Sequence, residues 1–312
     1  MATQVENGKA FEWATALTAS DVLGVEILDS PAASNAKACF EKVSASLKER
    51  FIQASELAVQ HILEKEISNE VVKNPNAVRL ASDANGQRGD VRDVVLVGLS
   101  GKELGISCKT NHDAFKHPRI SGSIDFVRKW GLDPSGCSPE YWQIARPIFQ
   151  KLKQIRAHSN ATELWEDHPE THLEYYKPLL EAFALEIFNK TAKDAPRSSE
   201  VTAALVNYII GKNDFYKVIC RPDSVHIEGF NLNGTLSIAQ TPYPAFCITI
   251  DDFDGGAFSK TVRLQKGMTF DFRIHTASKR VEPSFKFDVR AVGLPSDVYQ
   301  NHIAFKAKSL AE

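Results

Sequence analysis

The chain has 312 residues, 43% hydrophobic and 24% charged, with 37 Lys+Arg against 39 Asp+Glu and a formal net charge of -2. That composition is globular and long enough for one or two domains, and it excludes disordered, collagenous and disulfide-framework proteins. No global basic excess points to nucleic acid, so a role on DNA has to be argued from local charge.

Residues 1–30 are mixed and weakly periodic, end at Pro31, and read as an N-terminal arm. Phe40, Val43, Leu47, Phe51, Ala54, Ala58 and Ile62 then recur at three- and four-residue steps. This spacing predicts an amphipathic helix, or two consecutive ones, over 36–67. The stripe continues to Glu66, a carboxylate on the core-facing side; if the helix has already ended, Glu66 is solvated instead. Residues 82–90 are turn-rich and read as a loop. Residues 91–97 are short and β-branched, a buried strand. Gly98 and Gly101 frame a turn, and 103–109 alternates, with Leu104, Ile106 and Cys108 on one face and Glu103, Gly105, Ser107 and Lys109 on the other. The pair predicts a β-hairpin.

Helical patterns follow near 122–131, 139–156, 172–193 and 198–212. From 215 the texture becomes short and alternating (215–220, 244–251, 260–264, 268–275, 284–292), broken by Asn233-Gly234, Gly255-Gly256 and Gly267. The expected class is α/β, a mixed sheet flanked by helices with a β-rich C-terminal part. The expected divisions are an arm at 1–30, a core with helical insertions at 31–213 and a β-rich part at 214–312.

Cys39, Cys108, Cys137, Cys220 and Cys247 are scattered with no CxxC pair, which argues against a zinc ribbon and for a reducing compartment. No apolar run reaches the roughly 18 residues of a membrane span. Glu6 and the lack of an apolar h-region argue against a secretory signal, and a cytoplasmic protein is expected.

If Val97 pairs with Glu103, Asp93 falls opposite Ser107 and lies diagonal to Lys109 on one face, about 7–8 Å away. A register slip of one would exchange the faces. The plain reading of such a pair is a cross-strand ion pair. The functional reading is a carboxylate holding Mg²⁺ beside a lysine, which suits phosphodiester hydrolysis, with Glu66 as the second carboxylate. Asn111, His112, Lys116, His117, Arg119 and Ser121 crowd the segment after Lys109 and suit phosphate contacts. His112 and His117 are candidate metal ligands or a general base, or simply hydrogen-bonding side chains.

The segment 89–121, from Gly-Asp-Val-Arg-Asp through Gly-Ile-Ser-Cys-Lys-Thr-Asn-His to Lys-His-Pro-Arg-Ile-Ser, resembles the HaeIII-like type II restriction endonucleases. Ser138-Pro-Glu-Tyr-Trp, Arg146-Pro-Ile-Phe, Asp214-Phe-Tyr-Lys-Val-Ile, Phe230-Asn-Leu-Asn-Gly-Thr-Leu, Phe272-Arg-Ile-His-Thr-Ala-Ser, Val281-Glu-Pro-Ser-Phe-Lys-Phe-Asp and Gly293-Leu-Pro continue the likeness in order. The resemblance implies a restriction-endonuclease-like core of the PD-(D/E)xK type. It also implies a homodimer that uses Mg²⁺ to cut duplex DNA at the palindrome GGCC to blunt ends, with a companion DNA methyltransferase in the host. Carried over, Asp93 is the metal-binding aspartate and Lys109 the motif lysine. Ser107 departs from the pattern, standing where an acidic residue is expected. Glu66 on the helix is then the expected second metal ligand, and Glu103 shares the strand face but lies far before Ser107. Asn111 is assigned to orienting water or a phosphate. Arg273, His275, Lys279 and Arg280, where a strand runs into a polar turn, join His112, Lys116, His117 and Arg119 as DNA-binding candidates; arginine and lysine are the usual readers of guanine. Two readings compete with this one: an HNH-type nuclease with His112 as base, and a non-catalytic DNA-binding module in which Ser107 marks a lost site. A carbohydrate-binding β domain is permitted by the scattered aromatics but demanded by nothing.

Overall fold

The computed structural model describes residues 3–82, 90–111, 114–252 and 259–305. In chain order the first elements are α1 (Gln4–Leu23), β1 (Glu26–Ile27), α2 (Pro31–Lys42), α3 (Ala45–Lys65), α4 (Glu70–Lys73), β2 (Pro75–Leu80), β3 (Val94–Gly98), β4 (Glu103–Thr110), β5 (Ala114–Lys116) and β6 (Arg119–Ser121). There follow α5 (Phe126–Lys129), α6 (Pro139–His158), α7 (Lys177–Thr191) and α8 (Ser198–Ile210). The chain then runs through β7 (Phe215–Cys220), β8 (Ser224–Phe230), β9 (Cys247–Asp252), β10 (Ser259–Leu264), β11 (Thr269–Thr276), β12 (Ser284–Gly293) and β13 (Tyr299–Ala304). Two compact units result, one from 1–113, 211–242 and 296–312, the other from 114–210 and 243–295.

The first unit holds a seven-stranded mixed sheet in the order β1-β2-β3-β4-β7-β8-β13. β1 is parallel to β2 and β4 to β7, and the other neighbours are antiparallel. Helices α1 and α3 share a core with the sheet residues Val94, Leu96, Leu104, Ile106, Cys108, Tyr216 and Val218. Phe11 of α1 meets Phe51 of α3 with ring centroids 5.3 Å apart. Burying such a ring is worth roughly 2–3 kcal/mol, so this contact alone ties α1 firmly to the fold.

That overturns the N-terminal arm. α1 is a buried helix started by a capping box: Glu6 N–H donates to Thr3 Oγ1 at 3.3 Å and Thr3 N–H to Glu6 Oε2 at 2.7 Å. It ends at Gly24 in the left-handed region (φ 67°). Ala10, Phe11, Glu12, Ala14, Thr15, Ala16 and Ala19 are all buried. A helix covered around much of its circumference shows no sharp polar stripe, which is why periodicity missed it. The helix predicted at 36–67 is two, α2 and α3, separated at Val43 and capped anew by Ser44, whose side chain accepts from Leu47 N–H. The predicted hairpin is β3–β4, in the expected register: Val97 opposite Glu103 and Val94 opposite Ile106.

The second unit holds a sheet in the order β5-β12-β11-β10-β9, with β6 also pairing β12. One face is aromatic and faces helices: Phe183 of α7 lies 5.0 Å from Phe272 and 4.7 Å from Phe287 between ring centroids. The other face carries Arg273, His275, Lys286, Asp288 and Arg290, none of them fully buried. The expected divisions at 30/31 and 213/214 therefore do not coincide with the units, because β7, β8 and β13 return to the first sheet. Among the described residues, no helix is long and apolar enough to cross a membrane.

Gly105 in β4 is fixed by a close approach. A Cβ there would stand 2.0 Å from Cδ of Arg92, whose guanidinium pairs with Asp90 and Glu103. Arg92 immediately precedes Asp93, so displacing it would disturb the start of β3. Gly105→Ala is expected to lower stability by about 1–3 kcal/mol. Urea unfolding reads this; an unchanged midpoint would mean that Arg92 does not lie across the strand.

Candidate active site

The hairpin register puts Asp93 opposite Ser107, just before β3, with its N–H donating to Ile106 O at 2.9 Å. Its Oδ2 then accepts from Cys108 N–H at 2.7 Å and Ser107 Oγ at 3.1 Å, and Lys109 Nζ stands 3.5 Å away. Oδ1 carries none of these contacts. Ser107, where an acid was expected, is buried and donates to the aspartate. Lys217 of β7 lies beside Ser107 in register, buried, with its ammonium 3.1 Å from Glu228.

The carboxylate that accompanies Asp93 is Glu12 of α1. It is 7% exposed, and its Oε2 accepts from Lys9 Nζ at 3.1 Å. Its pKa is pushed up from near 4.5 to about 8, first by burial and then by the negative charge of Asp93, against the opposing pull of Lys9 and Lys109. A buried Glu12 close to the part-buried Asp93 sets up a repulsion that a hard divalent cation relieves, and all-oxygen donors suit such an ion. Cys108 packs beneath them, with its Sγ 3.5 Å from Thr15 Oγ1 on the same helix as Glu12. Burial, followed by the charges of Asp93 and Glu12, holds its thiol well above the usual range, so it is no nucleophile.

Glu66 is not brought to Asp93. α3 ends at Lys65 and Glu66 is its C-cap, fully buried. Its Oε1 accepts from Tyr216 Oη at 2.7 Å and Ser237 N–H at 2.9 Å, and its Oε2 from Asn69 Nδ2 at 2.8 Å. The stripe correctly put Glu66 inside, but its oxygens are consumed in holding β7 and the loop after β8. Glu103 is likewise engaged, by Arg79 at 2.7 Å and Arg92 at 2.8 Å. Asn111 follows β4 in the left-handed region (φ 57°), with its N–H donating to Cys220 O at 3.1 Å and its side chain exposed. His112 lies outside the described residues.

The other candidates belong to the second unit. Lys116 Nζ lies 4.1 Å from the centroid of the Tyr208 ring, a cation–π contact. Arg119 Nη1 donates to Ser284 Oγ at 3.1 Å and pairs with Glu282 at 3.3 Å. His117 and His275 converge on Asp288 at 2.7 and 3.1 Å. Arg273 is on the exposed face of β11. Lys279 and Arg280 are anchored through their main chains: the carbonyl of Lys279 accepts from Trp165 N–H at 3.1 Å and that of Arg280 from Ser278 Oγ at 2.9 Å. Among the described residues no ion pair ties down the side chains of Arg273, Lys279 or Arg280.

Sequence reasoning missed Glu12, although signals were present. The Thr3-x-x-Glu6 box announces a helix, and a lone acid among Ala10, Phe11, Trp13 and Ala14 is the anomaly within it.

A family model described as HaeIII restriction endonuclease matches residues 8–295. The chain is 34% identical over 245 residues to the type II restriction enzyme HaeIII of Haemophilus aegyptius, covering 73% of this chain and 74% of that protein. No solved structure matches.

The raised pKa of Glu12 couples stability to pH. In the metal-free protein the folded state holds this proton over a pH range in which the unfolded chain has released it. The wild type therefore loses stability as pH rises from near 4.5 to about 8, at about 1.4 kcal/mol per pH unit at most. In chelator, Glu12→Gln is expected to match the wild type in melting temperature near pH 4.5 and to exceed it increasingly toward pH 8. A difference that does not change with pH would remove the desolvated pair.

Proposed function

The chain belongs to the HaeIII restriction endonuclease family and is a type II site-specific deoxyribonuclease; from that premise we propose that Asp93, Glu12 and Lys109 form its Mg²⁺-dependent centre and that it cuts duplex DNA at GGCC to leave blunt ends. The observation that carries this reading is the convergence of a fixed Asp93, a desolvated Glu12 and the Lys109 ammonium at the open end of one hairpin.

Asp93 and Glu12 would hold the ion, with the remaining positions left to water and phosphate oxygens. When bound, the cation supplies Lewis-acid polarisation and activates water for attack at phosphorus. The rest of the work falls to the chain itself. Cys108 N–H and Ser107 Oγ hold the Asp93 carboxylate in one orientation before DNA arrives, so no reorganisation is needed during the reaction. Lys109, part-buried beside Asp93, keeps a positive charge where the pentavalent phosphate gains negative charge. Asn111, exposed at the end of β4, is assigned to the phosphate or the attacking water.

Reading of the bases is assigned to the second unit, through Arg273, Lys279 and Arg280, with Lys116 and Arg119 on the backbone. Arg273, Lys279 and Arg280, which have no ion pair among the described residues, can meet phosphates or guanine edges without first breaking one, whereas Arg119 would first leave Glu282. A palindromic target calls for a two-fold symmetric homodimer. Such an enzyme also needs a methyltransferase to protect the host's own sites.

The first test is unmethylated plasmid incubated with Mg²⁺ or with chelator, with fragment ends sequenced. Discrete blunt fragments at GGCC, only with Mg²⁺, are expected. Asp93→Asn and Glu12→Gln should each lower single-turnover cleavage by at least about 10²-fold while DNA binding persists. Glu66→Gln should act through stability instead, lowering the melting temperature. A fully active Asp93→Asn protein would overturn the centre, and cleavage at another sequence would overturn the target. Arg280→Ala should relax preference at GGCC; a loss that is uniform across sequences and reduces the salt slope would make Arg280 a phosphate contact.

A further inference from the structure

The second unit contains a cluster to which the proposed catalytic centre assigns no role. His117 follows β5, His275 lies in β11 and Asp288 in β12, so three separate segments supply it. One ligand atom from each, an imidazole nitrogen or a carboxylate oxygen, lies within 4.8 Å of the others. His117 Nδ1 is 2.7 Å and His275 Nε2 3.1 Å from the same oxygen, Asp288 Oδ1.

The second nitrogen of His275 decides what this cluster needs. Nδ1 stands 2.7 Å from the carbonyl oxygen of Thr276. A carbonyl only accepts, so Nδ1 carries the proton. In the neutral ring Nε2 is then a bare lone pair, and it is aimed at a carboxylate oxygen, which also only accepts. Two acceptors facing each other need either a second proton on the ring or a metal cation between them, and only the metal answers the need while the imidazole stays neutral. A backbone carbonyl on the far nitrogen is also the usual way in which a metal-binding histidine is oriented and made more basic.

We infer that His117, His275 and Asp288 form a second cation site that takes a divalent transition ion of the Zn²⁺ class, distinct in chemistry from the carboxylate centre of the first unit. Two imidazoles and one carboxylate select zinc, cobalt or nickel over magnesium. Bonds of about 2.0–2.1 Å in a tetrahedron place ligand atoms roughly 3.3 Å apart. To reach this the 2.7 and 3.1 Å separations open by roughly 0.6 and 0.2 Å, and the two nitrogens, within 4.8 Å of each other, draw in on the same ion. The three side chains are exposed or partly exposed, so an ion can enter, and three protein ligands leave a fourth position for water. The inference does not depend on the nuclease reading.

The full-length protein, stripped with chelator and desalted, would be titrated with Co²⁺ and followed by visible absorption. The expected result is one equivalent of Co²⁺ with the intense visible bands of a four-coordinate ion, displaced by one equivalent of Zn²⁺. Asp93→Asn should keep these bands. His275→Ala should lose them, and Asp288→Asn should weaken Co²⁺ binding at least tenfold, with thermal unfolding used to show that each variant is folded. Histidine side-chain NMR of the wild type gives a check that needs no variant: Zn²⁺ should shift Nδ1 of His117 and Nε2 of His275. No visible band, a band that survives His275→Ala, or a band lost in Asp93→Asn would overturn the site, as would His117 and His275 resonances unmoved by Zn²⁺.

Discussion

The N–H of Cys108 donates to Asp93 Oδ2 at 2.7 Å, and the arrangement of the first unit depends on that bond. It can form only if β3 and β4 pair with Val97 opposite Glu103, since a shift of one residue turns Ser107 and Lys109 to the other face. The register in turn rests on the Gly98–Lys102 turn, with Gly101 in the left-handed region (φ 80°), and on Val94, Leu96, Leu104 and Ile106, which bury one face against α1 and α3. The same core brings Glu12 to the hairpin. Burying the apolar face and assembling the two carboxylates are therefore one event, and α1 takes part in both.

Ser107 and Glu12 are best understood together. An acid at position 107 would put a third carboxylate beside Asp93, facing the same Lys109, with Glu12 already raised by burial and by Asp93. A hydroxyl there does the opposite: it donates to Oδ2 and eases the charge on Asp93. On the proposed assignment, an acid on the helix rather than the strand keeps two carboxylates near Lys109 and leaves position 107 to orient one of them. Lys9, one turn before Glu12 on α1, moderates the cost with a 3.1 Å contact.

The hairpin was legible because strict alternation and a glycine-framed turn leave few registers, and Asp93 and Lys109 came with it. The C-terminal strands at 259–264, 269–276 and 284–293 were legible for the same reason. The N-terminal helix was not, because a segment buried on several sides lacks the stripe that periodicity detects. That omission carried the choice of second carboxylate with it: Glu66 was the acid on a visible stripe, whereas Glu12 sat in a helix without one. β8 and β13 were also missed. Among the described residues they pair only with each other and with β7, and pairing of this kind links segments as distant as Val225 and Ile303, which no local pattern encodes.

The two units also differ in how they treat charge. In the first, the buried Glu12 lies near the part-buried Asp93 and the donors are all oxygen. In the second, the acids are mostly neutralised by neighbours: Asp271 by Arg290 at 3.1 Å, Asp251 by Arg263 at 3.3 Å and Glu282 by Arg119 at 3.3 Å. Asp288 differs from these, since two imidazoles converge on it rather than a lysine or arginine. An arginine or lysine locks a carboxylate at every accessible pH, but an imidazole can surrender its proton and offer a lone pair in its place. That exchange turns an ion pair into a ligand set. It would also keep the two proposed sites chemically apart, because an imidazole pair discriminates against magnesium while carboxylates alone favour it.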